Sequence, residues 1–190
     1  MNRVQQAEPL NRLLDCTEQL IYQGGICATG MDAIVKLSGV SRKTIYKHFG
    51  TKDRLVAEAL KRRDLRWMAW FEAGLARFEG PRAQLLGAFE ILDDWFNSTD
   101  FQGCAFINTA GEVSSPEDPV RQVARAHKEK LHQCLMQRCA DIGAKAPQQL
   151  AGQLLLLIDG AITNALVSGR SSVAVDAQRI AEILLKAEGL

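Results

Sequence analysis

The chain has 190 residues, 47% of them apolar, and a net charge of +1, so it has enough apolar content for a packed core in one large or two small domains and is no polycation. Five cysteines (Cys16, Cys27, Cys104, Cys134 and Cys139), odd in number and without a Cys-x-x-Cys pair, exclude a secreted disulfide framework and point to reduced thiols in a cytoplasmic protein. The N-terminus MNRVQQAEPL is too polar for a signal peptide, and the most apolar run, Leu154–Ile158, is far short of the roughly 18 residues of a membrane span.

Residues 1–8 read as a loose arm, with Pro9 in the first turn of helix 1, where its missing N–H is tolerated. Leu10, Leu13, Leu14, Thr17, Leu20 and Ile21 form an inward stripe at helical spacing, and Gly24–Gly25 ends the helix. Residues 30–52, GMDAIVKLSGVSRKTIYKHFGTK, follow as two short helices joined by a tight turn. Met31, Ile34 and Val35 share a face of the first. Gly39 takes the positive φ of the turn, Val40 plugs the corner, and Ser41 caps the second helix. Ile45 and Phe49 face inward there, leaving Arg42, Lys43, Thr44, Tyr46, Lys47 and His48 for an outer face.

This is a helix-turn-helix pattern, whose second helix enters the DNA major groove. Arg42 and Lys43 stand in the first turn of that helix, where cations oppose the helix dipole, so folding alone does not explain them. A phosphate or a guanine edge does. Charge is also uneven: residues 36–66 hold ten Lys or Arg against three Asp or Glu, whereas residues 67–190 hold eleven against fifteen. A basic end on an acidic body is the electrostatic footprint of a nucleic-acid partner.

From Leu10 to Leu60 the sequence resembles the DNA-binding domain of the TetR family of transcriptional regulators. The resemblance runs through Gly25, Ala28, Thr29, Met31, Ile34, Gly39, Val40, Ser41, Thr44, Ile45, Tyr46, Phe49, Lys52 and Leu55. It implies an all-α fold: a three-helix homeodomain-like reading domain at 1–52, a connector helix at about 52–78, and a helical ligand-binding and dimerisation domain at 79–190. It also implies that Lys52 and the backbone near Thr29 hold phosphates. Two positions depart from the family pattern. Gly30 replaces the usual Ser or Thr cap, a role Thr29 would have to take. Lys43 replaces a small residue and adds a long cation near the base edges.

Thr51 is the expected N-cap of helix 4, which runs to about Phe78. Its early part is basic (Lys61, Arg62, Arg63, Arg66) and suits the DNA end of a connector; its later part is aromatic. Gly80–Pro81 breaks the chain before helix 5 at about 82–97. A short apolar helix 6 spans 101–113, and helix 7 spans about 120–142. Helix 8, from Pro147 to about Ser168, is apolar on more than one face. Helix 9 runs from Asp176 to near Glu188, for nine helices and no strand. Helices 8 and 9 together suit a four-helix interface with a second copy, and a homodimer would present two reading helices to a near-palindromic duplex operator.

Three histidines are few for a metal enzyme. Glu129-x-x-His132 is one copy of a motif that di-iron bundles use twice, and no phosphate loop or nucleophile elbow is present. No enzyme activity, metal or cofactor is expected; the alternative from that class is a helical-bundle ligand-binding enzyme with an incidental helix-turn-helix corner. Trp67, Trp70, Phe71, Phe89, Trp95 and Phe106, with Asn108, Glu112, Asp159 and Asn164 as polar partners, are the candidates for the small-molecule inducer site that the resemblance implies. Glu112 and Asp159 would favour a cationic ligand. Cys104, at the start of helix 6, is the candidate for an alternative thiol-based redox or electrophile sensor.

Overall fold

The computed structural model describes residues 3–190, and their regular structure is helical throughout: α1 (Arg3–Gly24), α2 (Met31–Ser38), α3 (Arg42–Phe49), α4 (Lys52–Leu75), α5 (Pro81–Phe96), α6 (Ala105–Glu112), α7 (Pro119–Asp141), α8 (Pro147–Ser168) and α9 (Val173–Ala187). Four boundaries differ from expectation, one of them the start of α9, at Val173 rather than Asp176. The arm expected at residues 1–8 is helical from Arg3, so Pro9 lies inside α1; residues 1 and 2 lie outside the described residues. α4 ends at Leu75 rather than Phe78. α6 starts at Ala105 rather than Phe101, because Gly103 at φ 77° keeps the preceding residues out of the helix.

The chain divides into two compact units: residues 3–66 with 105–127, and residues 67–104 with 128–190. α6 and the start of α7, which the sequence reading groups with the C-terminal segment, therefore belong to the same compact unit as the helix-turn-helix.

In the first unit Leu13, Ile34, Val40, Ile45 and Leu55 form a buried cluster, closed by Leu10, Leu14, Leu20, Met31, Val35 and Phe49. The α2–α3 corner is built as its residues dictate. Gly39 adopts φ 70° and its N–H bonds Val35 O at 2.9 Å. Ser38 is buried, its hydroxyl accepting the Val40 N–H at 3.2 Å, and Arg12 Nε donates to the Ser38 carbonyl at 2.9 Å.

The basic stretch of α4 clamps α1. Arg62 pairs with Asp15 at 3.1 Å and donates to Asn11 O at 2.9 Å. Arg63 pairs with Glu18 at 3.0 Å and lies 3.8 Å above the Tyr22 ring, Arg66 also pairs with Glu18, and Lys61 bonds Glu58 at 2.7 Å. Arg62, Arg63 and Arg66 thus tie α4 to α1, while Lys61 pairs within its own helix, so the nucleic-acid footprint is narrower than the sequence charge count implies.

A buried polar pair completes this unit. His127 Nδ1 lies 2.8 Å from Asp64 Oδ1, with the two side chains 1% and 5% exposed, and the imidazole stacks on Phe106 at 3.7 Å between centroids. His127 sits in the stripe Val123, His127, Leu131, Leu135, Cys139, all buried at a spacing of one helical turn.

In the second unit α5, α8 and α9 pack on one another. Their buried faces carry Leu85, Phe89 and Leu92, then Leu154, Ile158 and Ile162, then Ala177, Ala181 and Leu185. By length and composition α8 is apolar enough to cross a bilayer, beyond what its Leu154–Ile158 run suggests. One face of it packs in the bundle through Leu150, Leu154, Ile158 and Ile162, Asp159 on it takes Lys128 as ion-pair partner at 2.5 Å, and Leu156 and Val167 stay exposed.

Candidate nucleic-acid interface

α3 is a two-turn helix fixed at both ends. The Ser41 hydroxyl accepts the Thr44 N–H at 3.2 Å, and the Gly50 N–H closes on Tyr46 O at 2.9 Å. Ile45 is fully buried. The rotation per residue then sends Arg42, Lys43, Lys47 and His48 outward, with Tyr46 43% exposed and Thr44 half-buried beside the cap. The six α3 residues singled out from sequence thus share one short, rigid element.

Arg42 has a partner that the sequence reading did not foresee. Its guanidinium forms an ion pair with Asp32, in the first turn of α2. Asp32 is 93% exposed and Arg42 52%, so the pair adds little stability, but it offsets the unfavourable placement of a cation at a helix N-terminus. Lys43 and Lys47 are exposed.

Thr29 does not replace the missing cap at Gly30. It is 4% exposed and its hydroxyl donates to Gly25 O at 2.6 Å, so the first turn of α2 has no side-chain cap. Lys52, assigned to phosphate by resemblance, donates from Nζ to the Ile26 carbonyl at 2.5 Å.

Glu112 is placed where the sequence reading did not put it. It ends α6, and its two carboxylate oxygens accept the backbone N–H groups of Ile26 (2.9 Å) and Cys27 (2.8 Å) in the link between α1 and α2. Partial burial acts to raise its pKa. The N–H groups of Cys27 and Ile26, the Cys27 thiol and the charge of Lys52 outweigh this and hold the carboxyl below its ordinary range. Glu112 is therefore an anion engaged with backbone rather than an acid lining an aromatic pocket. Its approach is close: a Cβ at Gly25, itself at φ 84°, would lie 2.9 Å from the carboxylate.

The ten ligand-site candidates divide between the units. Phe106, Asn108 and Glu112 belong to the first. In the second, Trp67, Trp70, Phe71 and Trp95 form one ring cluster: Trp67 lies 5.6 Å from Trp70, 5.1 Å from Phe71 and 6.2 Å from Trp95, centroid to centroid. Phe89 is buried in the α5 core. Asp159 is held by Lys128, and Asn164 is exposed and donates to Gly160 O within its own helix. The acids expected to favour a cationic ligand are therefore both occupied.

A groove of about 510 Å³ opens between α5 and α9, lined by Phe78, Arg82, Leu86, Glu90, Gln178 and Glu182 among others. Leu86 reads from sequence as an inward residue of helix 5, and the other groove residues carry no sequence signal.

Cys104 precedes α6 and is 6% exposed, whereas Cys27 is the exposed thiol. Burial raises the pKa of Cys139 to about 11 and also raises that of Cys134. His132 donates from Nε2 to Gln148 O at 3.1 Å, and no group of three or more His, Cys, Asp or Glu suited to a metal occurs among the described residues.

The chain is similar to known regulatory proteins. A family model described as bacterial regulatory proteins, tetR family, matches residues 13–59. A tetR-type transcriptional regulator from Streptomyces avermitilis is 30% identical in sequence and superposes with a TM-score of 0.86 over 96% of this chain and 98% of its own. A TetR-family regulator from Streptomyces coelicolor is 26% identical, with a TM-score of 0.87 and 97% coverage of both chains. The transcriptional regulator YjdC of Escherichia coli is 22% identical over 170 residues, 88% of each protein.

Proposed function

Because this chain belongs to the TetR family of bacterial regulatory proteins, and is thus a DNA-binding transcriptional regulator that acts as a dimer, we propose that it is a repressor whose α3 reads a near-palindromic operator and which a small molecule releases. The observation that carries the reading is the outer face of α3. Arg42, Lys43, Tyr46, Lys47 and His48 are exposed on a helix whose cap and buried Ile45 fix its orientation. In this reading Arg42 and Lys43 take base edges or phosphates at the N-terminal turn, and Thr44, Tyr46, Lys47 and His48 fix the register on the backbone. The uncapped N–H groups of the α2 first turn, next to Thr29, offer an anion site for a phosphate. Lys52 contributes to that region while bonded to Ile26 O.

Dimerisation is assigned to α8 and α9. Leu156 and Val167 of α8 are 74% and 82% exposed, and Ile180 and Ile183 of α9 are 47% and 64% exposed. Apolar side chains left open on two adjacent helices suit an isologous contact with a second copy. Residues 1–52 would then read DNA and the bundle within 79–190 would dimerise and bind the effector, with the Trp67, Trp70, Phe71 and Trp95 cluster as the apolar wall of the effector site. A ligand acts here only through its different affinity for the DNA-competent and DNA-free arrangements.

The test is a pair of variants, Lys43→Ala and Lys47→Ala, titrated against duplex DNA recovered by selection from a random pool. Each loss of a phosphate contact lowers the salt slope by about 1, and each loss of a base contact relaxes sequence preference at one position in each half-site. Wild-type binding by both variants would remove α3 as the reading helix.

A further inference from the structure

An acid at the end of α6 is poorly placed for α6 itself. A carboxylate at a helix C-terminus meets the negative end of the helix dipole. The reason for Glu112 lies outside its own helix, in the two N–H groups of Ile26 and Cys27. The same link is held from another side: Lys52 of α4 donates to Ile26 O, which also accepts the Thr29 N–H at 3.3 Å. The link therefore has its donors fixed by α6 and its acceptor fixed by α4. It leads straight into Gly30 and the first turn of α2, where no side chain caps the exposed N–H groups. With the local cap absent, the orientation of that turn depends on the link before it.

From this geometry we propose that Glu112 is a positioning residue for DNA binding: its carboxylate fixes the α1–α2 link and thereby the α2 N-terminus that meets the phosphate backbone. The inference rests on the reading of α2 and α3 as the DNA interface. It assigns to Glu112 an effect opposite in sign to simple electrostatics. Removing one negative charge from a DNA-binding unit strengthens its attraction to a polyanion. Loosening the clasp weakens specific binding, because the phosphate contacts that set register are no longer pre-formed.

The test compares Glu112→Gln with wild type in the full-length chain. Glutamine keeps the size of the side chain, accepts one N–H through its oxygen, and turns an NH₂ donor toward the other. Three quantities are measured: melting temperature, amide exchange at Ile26 and Cys27, and affinity for a selected duplex and for a scrambled duplex of equal length. Exchange at the two amides accelerates, and affinity for the selected duplex falls about tenfold, the order of one charge-assisted hydrogen bond. Affinity for the scrambled duplex holds or rises slightly, with the variant still cooperatively folded. Equal or tighter binding to the selected duplex overturns the proposal, as does unchanged exchange at Ile26 and Cys27. A wild-type chain that does not discriminate between the two duplexes refutes the DNA interface instead, and the exchange rates alone then decide whether the clasp exists.

Discussion

The pair formed by Asp64 and His127 sets the most demanding energetic prediction. Asp64→Ala removes the acceptor facing His127 Nδ1, in a site where the imidazole is 1% exposed. Leaving a buried donor without that acceptor costs about 1–3 kcal/mol. The lost carboxylate volume adds about 1 kcal/mol, because stacking on Phe106 at 3.7 Å restrains the ring from following. A total of about 3 kcal/mol corresponds to a fall of about 6–12 °C in melting temperature for a chain of this length. Asp64→Asn, which keeps an oxygen in place, costs about a third as much. Replacing both partners, as Asp64→Leu with His127→Phe, recovers most of the loss, because donor and acceptor of that bond are removed together. Calorimetry of the four proteins at one protomer concentration checks this, since dimers melt with concentration dependence. A drop below about 2 °C for Asp64→Ala, or a double variant no better than the alanine single, would refute the reasoning.

Three further outcomes are expected. Ile183→Arg, placing a charge on an exposed apolar face of α9, shifts the dimer toward monomer by light scattering and lowers operator affinity with it; an unchanged dimer moves the interface off α9. Alkylation under native conditions modifies Cys27 first, while Cys104 and Cys139 react only on unfolding, and mass mapping reads the order; early labelling of Cys104 would contradict its burial and return it as a sensor candidate. The Glu112 clasp is complete at neutral pH. Because the folded carboxyl titrates below its ordinary range, the stability it contributes is present above that range and is lost as pH falls through the depressed folded value, seen as accelerated exchange at Ile26 and Cys27 once the intrinsic pH dependence is removed.

What the sequence made legible is local. The turn between α2 and α3 is specified by Gly39, Val40 and Ser41 themselves, and each does in the structure what its chemistry dictates. The helical stripes needed only periodicity. What escaped the sequence involves partners far along the chain or partners without side chains. His127 falls on the buried α7 stripe, and nothing in the sequence marks Asp64, 63 residues earlier, as its partner. The cations of α4 read as a DNA footprint because Asp15 and Glu18, which neutralise them, sit on another helix. Glu112 reads as a polar pocket residue beside the aromatics, since a backbone N–H leaves no trace in a sequence. Arg42 is unexplained by its own helix because its partner Asp32, ten residues before it, reaches it only across the turn.

The measurement that addresses the central claim most directly is selection of bound sequences from a random duplex pool by the wild-type dimer at two salt concentrations. The account predicts enrichment of a near-palindrome whose half-sites match two copies of α3, with affinity falling steeply as salt rises. Recovery of no preferred sequence by a folded dimer, or binding insensitive to salt, would contradict it.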